Sequence, residues 1–122
     1  MSLTILIAFA GVMGAAGIVL AAAGAHVAPG AGLDSAAYML LFHAAAVMGG
    51  VALTGQGLLW RPPALAALAG FVLGAALFSS DIAFRAFTAH RLFPFAAPSG
   101  GFILIAAWFG LAVAAVAAAM RG

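Results

Sequence analysis

Four long apolar stretches, separated by short breaks containing proline, glycine or polar residues, make up nearly the whole chain. They cover about residues 3–25, 36–60, 63–87 and 101–120. At about 1.5 Å per helical residue, each is long enough to cross the roughly 30 Å hydrocarbon core of a bilayer. Because lipid requires every backbone hydrogen bond to be satisfied internally, the pattern predicts four transmembrane α-helices.

The breaks contain residues that typically end and begin helices. Residues 27–32 hold Pro and Gly, and Asp34 or Ser35 is a candidate N-cap for the second helix. Arg61-Pro62-Pro63 is a very short connection, which predicts a tight antiparallel hairpin between the second and third helices. Residues 88–101 form the longest break, and its phenylalanines are expected at the membrane interface.

Composition supports a membrane protein. Hydrophobic residues make up 68% of the chain and charged residues 5%, with a mean hydropathy of +1.31. A soluble domain has about 25% charged residues, so this chain could not cover a water-exposed surface. We therefore predict an all-α, integral membrane four-helix transmembrane bundle with up-down-up-down topology, forming a single domain over residues 1–122. The first apolar run lacks a basic start and is longer than a signal-peptide core, so we expect a retained membrane helix.

The few charged residues exclude several functions. The net charge of +2 comes from four arginines and two aspartates, with no Lys or Glu. These charges are spread along the chain and form no basic patch, so nucleic-acid binding has no support. The chain has no Cys, which excludes disulfides, thiolate metal sites, iron–sulfur ligation and cysteine nucleophiles.

Four spans place both termini on one side of the membrane and the first and third connections on the other. This topology gathers most ionisable side chains at one membrane face, opposite Arg61 and Arg121. The predicted polar face contains His26, Asp34, Tyr38, His43, Asp81, Arg85, His90 and Arg91. Each side has two arginines, but the N-terminal amine and neutralisation of Arg85 by Asp81 favour both termini in the cytoplasm.

Asp81 and Arg85 are the most informative polar pair. A spacing of four places both side chains on one helix face, where they can pair in a low-dielectric setting. We interpret them as a structural ion pair near the rim of the bilayer, with Ser79 or Ser80 completing the hydrogen bonds. The alternatives are an ion or proton site, since intramembrane ionisable groups are often functional, and a contact with a partner protein.

The histidines and the glycines each allow two interpretations. Together with Tyr38, Ser79 and Ser80, His26 and His43 form a candidate polar cluster that hydrogen-bonds neighbouring helices. The alternative is metal or haem ligation with Asp34, Asp81 or His90, but the chain has no closely spaced ligand pair such as HxxxH. We therefore predict no metal and no cofactor. Gly70 and Gly74 form a GxxxG pattern that favours close helix packing within the chain, or else a dimer seam.

Several of these segments, in this order, match a known family pattern. They are Gly24-Ala25-His26, Tyr38-Met39-Leu40-Leu41-Phe42-His43-Ala44, Leu77-Phe78-Ser79-Ser80-Asp81, Ala97-Pro98-Ser99-Gly100-Gly101 and Ala106-Ala107-Trp108. The chain resembles, over nearly its whole length, the YgdD-like family, a domain of unknown function (four-two-three). The resemblance implies a small four-helix protein of the bacterial inner membrane, with no established activity. Ser80 stands where the family has Gly, and the Phe84-Arg85 continuation is not typical of it.

These observations predict a non-enzymatic membrane protein that works by helix association. Its expected partners are the lipid bilayer and either another membrane protein, as an accessory subunit, or further copies of itself. The alternative is a small-molecule, lipid or ion binder with a site among His26, His43, Asp81 and Arg85, which could become a channel on oligomerisation. An enzyme acting at the rim ranks third, because it needs a nucleophile and a base in one cleft.

Overall fold

Four α-helices joined by short turns account for most of residues 2–122, the part of the chain described by this computed structural model. The helices are α1 (Leu3–His26), α2 (Leu33–Gly55), α3 (Arg61–Thr88) and α4 (Ala96–Arg121). Each is long and apolar enough to cross a membrane. The predicted all-α, four-helix transmembrane architecture is therefore confirmed.

The first two helices begin in different ways. The hydroxyl of Ser2 accepts a hydrogen bond from the backbone N–H of Ile5, at 3.2 Å, and so caps α1. Gly32 precedes α2 with a φ of 83°, a left-handed conformation that favours glycine. Asp34 and Ser35, expected as N-caps, lie instead within the first turn of α2, where a negative charge complements the helix dipole.

The fourth helix begins at Ala96, five residues before the predicted start at residue 101. Pro98 lies in its first turn, where the missing N–H is not needed for helical hydrogen bonding. Gly100 also belongs to the helix. The proline and glycine that indicated a loop in the sequence are thus accommodated inside a membrane helix, because neighbouring helices can pack against it.

The helices are not packed equally. The first three pack against one another, whereas α4 packs closely against α3 alone. Phe71, at the centre of α3, is completely buried. The main core consists of Leu6, Ala10, Met13, Leu40, Ala44, Val47, Val51, Leu68, Phe71, Ala75, Leu104 and Ala107. The helix α3 therefore forms the centre of the fold, with α2 and α4 packed against it and α1 packed mainly against α2.

The interface between α3 and α4 brings two backbones into contact. A Cβ added to Gly100 would lie 2.7 Å from both the carbonyl oxygen of Gly74 and the backbone nitrogen of Phe78. A Cβ added to Gly70 would lie 2.9 Å from the Cβ of Ala107. Gly70 and Gly74 of the GxxxG pattern thus face α4 of the same chain, where their small size permits the close approach.

The C-terminal end of α4 is held by the turn between α2 and α3. The backbone N–H of Trp60 donates to the carbonyl oxygen of Ala114 at 2.9 Å. The Arg121 guanidinium lies 4.5 Å from the Trp60 ring centroid, within cation–π distance. Leu59 and Ala64 pack with Ala114 in a second, smaller core. These contacts fix the side of the molecule that carries both termini.

Candidate functional site

The polar face lies where α1 and α3 end and where α2 and α4 begin. At this face Asp81 is almost completely buried, with 1% of its side chain exposed. One carboxylate oxygen, Oδ1, accepts a hydrogen bond from the backbone N–H of Leu92 at 2.9 Å. Leu92 belongs to the connection between α3 and α4, so Asp81 fixes this connection against the end of α3. Sequence reasoning missed this contact because a backbone N–H has no residue-type signature.

Arg85 lies beside Asp81, as its spacing predicts, but the contact is loose. The Arg85 Nη2 to Asp81 Oδ2 distance is 3.8 Å, beyond hydrogen-bond length, and 41% of the arginine side chain is exposed. Half-exposed ion pairs are screened by water and contribute about 1 kcal/mol or less. The main anchor of Asp81 is therefore the hydrogen bond from Leu92.

The two neighbouring serines differ from each other. Ser79 is buried, and its hydroxyl donates to the carbonyl oxygen of Ala36 at 2.8 Å, which ties α3 to α2. Ser80 is exposed. In the described part of the chain neither hydroxyl hydrogen-bonds to Asp81. The expected completion of the ion pair by serine is thus replaced by the backbone of Leu92.

His43 lies about 15 Å along α2 from its start at Leu33, close to the middle of the span rather than at the rim. The indole Nε1–H of Trp108 donates to His43 Nε2 at 3.1 Å, and His43 Nδ1 is 2.7 Å from the carbonyl oxygen of Met39. Because indole is only a donor, Nε2 must be the acceptor. The proton is then on Nδ1, which donates to Met39, and the imidazole is neutral.

Three mutually tilted rings pack around this hydrogen bond. Phe71 of α3 lies 5.4 Å from the His43 ring and 4.5 Å from the Trp108 ring, measured between centroids. The helices α2 and α4 do not pack closely against each other. The His43–Trp108 hydrogen bond therefore connects two helices that otherwise meet only through α3. We call His43, Phe71 and Trp108 the mid-span cluster.

The structure does not bring the five residues of the predicted polar cluster together. His26 and Tyr38 are exposed, and the Tyr38 ring stacks on Phe42 at 5.9 Å. His43 belongs to the mid-span cluster, and Ser79 bonds to α2. No three His, Cys, Asp or Glu side chains within residues 2–122 group in a way that could hold a metal ion.

An open cleft of about 430 Å³ lies at the polar face, between the start of α2 and the end of α3. Its lining residues are Ala31, Gly32, Ser35, Ile82, Arg85 and Ala86. Arg85 is its charged residue, while Ile82 and Ala86 give it an apolar wall. The Asp34 carboxylate lies elsewhere, because a Cβ added to Gly24 of α1 would be 3.1 Å from its Oδ1.

Comparison with known proteins identifies one family. The family described as "Protein of unknown function (DUF423)" matches residues 20–101, from late in α1 to the early part of α4. The matched region includes His43 and Asp81, whereas Trp108 lies beyond it. A search of curated proteins and a search of solved structures both found no match. Since the family match covers more than half of the sequence, the chain belongs to the DUF423 family, a family of unknown function.

Proposed function

We propose that this protein is non-enzymatic and acts through helix association, as an accessory subunit of a larger membrane complex or as a homo-oligomer. The observation that carries the proposal is the outward face of α1. Ala8, Gly11 and Ala15 are all exposed there, on the side opposite the buried Leu6 and Met13. No atom lies within 4 Å of a Cβ added to Gly11.

The small size of these side chains is the informative property. An apolar outward face is expected of any membrane helix, because it contacts lipid. Helix association in lipid depends on close packing, and small residues at spacings of three and four allow two backbones to approach. The outward face of α1 offers this geometry without any change in the packing of the chain itself.

The buried polar groups also support a non-enzymatic role. Asp81 holds a loop, Ser79 ties α3 to α2, and His43 ties α2 to α4. Thr54 donates to the carbonyl oxygen of Gly50 at 2.7 Å. Each of these side chains hydrogen-bonds to a partner in the same chain, so each has a structural role that accounts for its burial without catalysis.

The association is tested by replacing Gly11 with leucine. We expect the wild-type protein, extracted in mild detergent, to form a complex whose protein mass, with bound detergent subtracted, exceeds that of one 12.0 kDa chain. Gly11→Leu should shift it towards the monomer, because the larger side chain separates the helices. Gly49→Leu on α2 is the matched control, since Gly49 is also exposed with no atom within 4 Å of an added Cβ. A wild-type monomer without a stoichiometric protein partner would contradict the proposal.

We further propose a bacterial inner-membrane location with both termini in the cytoplasm. Arg61, Arg121 and the N-terminal amine lie on the side of the termini; Arg85 and Arg91 lie on the other side, where Asp81 partly offsets the charge of Arg85. The count of free positive charges therefore favours the terminal side as cytoplasmic. A reporter protein fused after Gly122 should read cytoplasmic, and a periplasmic reading would reverse the orientation.

A further inference from the structure

We propose that the cleft at Arg85 binds the phosphate of an anionic phospholipid headgroup. The proposal is independent of helix association, because the cleft lies between α2 and α3 and does not involve the outward face of α1. It rests on the position of the cleft, on the uncommitted hydrogen-bond donors of Arg85 and on the charges around it.

The cleft lies at the depth of the lipid headgroups. Arg85 is in the last turn of α3, and Ser35 is in the first turn of α2. Both positions are at the ends of membrane-spanning helices, where phosphate groups of the bilayer are found. The volume of about 430 Å³ falls within the usual range for small-ligand sites, about 300–1,000 Å³. Ile82 and Ala86 supply an apolar wall beside which the glycerol and the first acyl carbons fit.

Arg85 has the chemistry that a phosphate requires. A guanidinium presents five N–H donors in a planar fork that can bind two phosphate oxygens at once. In the described part of the chain its ion pair is with Asp81, at 3.8 Å, too long for a hydrogen bond. The Asp81 carboxylate thus lies beside the Arg85 guanidinium near the cleft, and the N–H donors of Arg85 remain free to hydrogen-bond a ligand.

The charges around the cleft favour an anionic headgroup over a zwitterionic one. The choline or ethanolamine cation of a zwitterionic lipid would lie near Arg85 without an available carboxylate. Asp34 lies against Gly24 of α1, away from the cleft. Asp81 is buried and occupied by Leu92 and Arg85. A headgroup that carries a phosphate and no cation, such as that of phosphatidylglycerol, is the complementary ligand.

The test compares lipid retention in purified protein. Equal amounts of phosphatidylglycerol and phosphatidylcholine are added to the detergent-solubilised protein, and bound lipid is counted by native mass spectrometry. We expect the wild type to retain phosphatidylglycerol about fivefold more than phosphatidylcholine, the preference expected from one interfacial arginine. Arg85→Gln should abolish this preference. Arg91→Gln should preserve it, because Arg91 is exposed at the same face, outside the cleft, and donates to the carbonyl oxygen of Pro94.

A steric variant distinguishes the contribution of the cleft shape from that of the Arg85 charge. Ala86→Phe fills the cleft and keeps Arg85, so it should also abolish the preference. Ala83→Phe is its control, because Ala83 lies on the α1 side of α3, with Ala16 and Val19. Circular dichroism verifies that each variant remains helical.

Three outcomes would overturn the proposal. The first is an equal preference in wild type and Arg85→Gln. The second is an equal loss in Arg91→Gln, which would indicate a general surface-charge effect. The third is protection of the protein against heat by sodium phosphate without retention of phosphatidylglycerol, which would indicate a free phosphate site. None of these measurements depends on oligomeric state, so the helix-association proposal can fail or succeed separately.

Discussion

Asp81 and His43 are both buried polar side chains, but they work at different depths of the molecule. Asp81 lies at the rim, where its carboxylate holds the connection between α3 and α4 through the backbone of Leu92. His43 lies near the middle of the span, where its imidazole joins α2 to α4 through Trp108. Asp81 is satisfied mainly by a backbone N–H, whereas His43 is satisfied by an indole N–H and a backbone carbonyl oxygen.

The difference shows how charge is distributed with depth in this chain. At the rim, the Asp81 carboxylate is matched by a backbone N–H and lies beside a guanidinium. The middle holds a neutral ring with one donor and one acceptor, each matched by a partner. Intramembrane polar groups are costly unless they are paired, and the neutral His43 is fully paired without any counter-charge.

A substitution that separates α3 from α4 should disrupt both the mid-span cluster and the contact of Asp81 with Leu92. We therefore expect it to have the largest effect on stability. Gly74 and Gly100 touch between the mid-span cluster and Asp81 along α3. Gly100→Leu places a side chain where no space exists, so we expect a loss of at least about 3 kcal/mol in the free energy of unfolding, as for severe overpacking. Unfolding in mixed micelles measures this loss. Gly101→Leu is the control, because no atom lies within 4 Å of a Cβ added to Gly101, and it should remain folded.

Removing the Asp81 carboxylate should have the next largest effect. Asp81→Ala removes the carboxylate that accepts the hydrogen bond from the backbone N–H of Leu92, so the free energy of unfolding should fall by about 1–3 kcal/mol, as for hydrogen bonds to charged groups. Asp81→Asn keeps an oxygen that can accept this hydrogen bond and removes the charge, so it should cost less. If both variants lose the same stability, the ion pair with Arg85 matters more than the contact with Leu92. The rate of amide hydrogen exchange at Leu92 measures directly whether the connection between α3 and α4 has lost its hydrogen bond to Asp81.

Breaking the mid-span hydrogen bond should have a smaller effect. Trp108→Phe removes the indole donor and leaves His43 Nε2 unpaired, which should cost about 0.6–1.7 kcal/mol, the range of side-chain hydrogen bonds inside membranes. A double-mutant cycle with His43→Phe isolates the pairwise energy. Zero coupling in that cycle would show that the rings pack together without a stabilising hydrogen bond. The Trp108 indole N–H resonance should also shift in the His43→Phe variant.

The smallest expected effect is the coupling between Asp81 and Arg85. Their 3.8 Å separation and the partial exposure of Arg85 limit the coupling energy to about 1 kcal/mol or less, and salt should reduce it further. The cycle of Asp81→Ala, Arg85→Ala and the double variant measures it. The double variant should not recover the stability lost in Asp81→Ala, since the N–H of Leu92 stays unpaired. Full recovery of stability would show that the Asp81–Arg85 ion pair contributes more than the hydrogen bond between Asp81 and Leu92.

The number and character of the helices could be predicted because a bilayer sets both length and hydrophobicity. The proline pair after Arg61 marked the start of α3, but not the connection itself. The structure ends α2 at Gly55 rather than residue 60, so residues 56–60 form the connection and Arg61-Pro62-Pro63 lies in the first turn of α3. The start of α4 could not be read from Pro98 and Gly100, because the same residues mark loops in water and close contacts in lipid. Only the position of α3 shows that Gly100 is needed for packing.

The polar contacts were harder to predict. The Asp81–Arg85 spacing is a local signal within one helix, and the structure does place the two side chains near each other. Trp108 is far from His43 in sequence, and only the assembly of α2, α3 and α4 brings their rings together. Leu92 interacts through its backbone, which carries no information in the residue type. Local spacing can therefore be read from a sequence, whereas long-range partners depend on tertiary packing.

The one-sided packing of α4 has a consequence for how the protein tolerates change. Gly100, Leu104, Ala107 and Ala114 carry its buried edge, and most of the remaining circumference is exposed. In a saturation mutagenesis experiment, the exposed positions other than Trp108 should accept almost any apolar residue, while the buried edge should accept very few. Positions that tolerate few substitutions would then recur every three to four residues along α4 and form a single stripe on its surface.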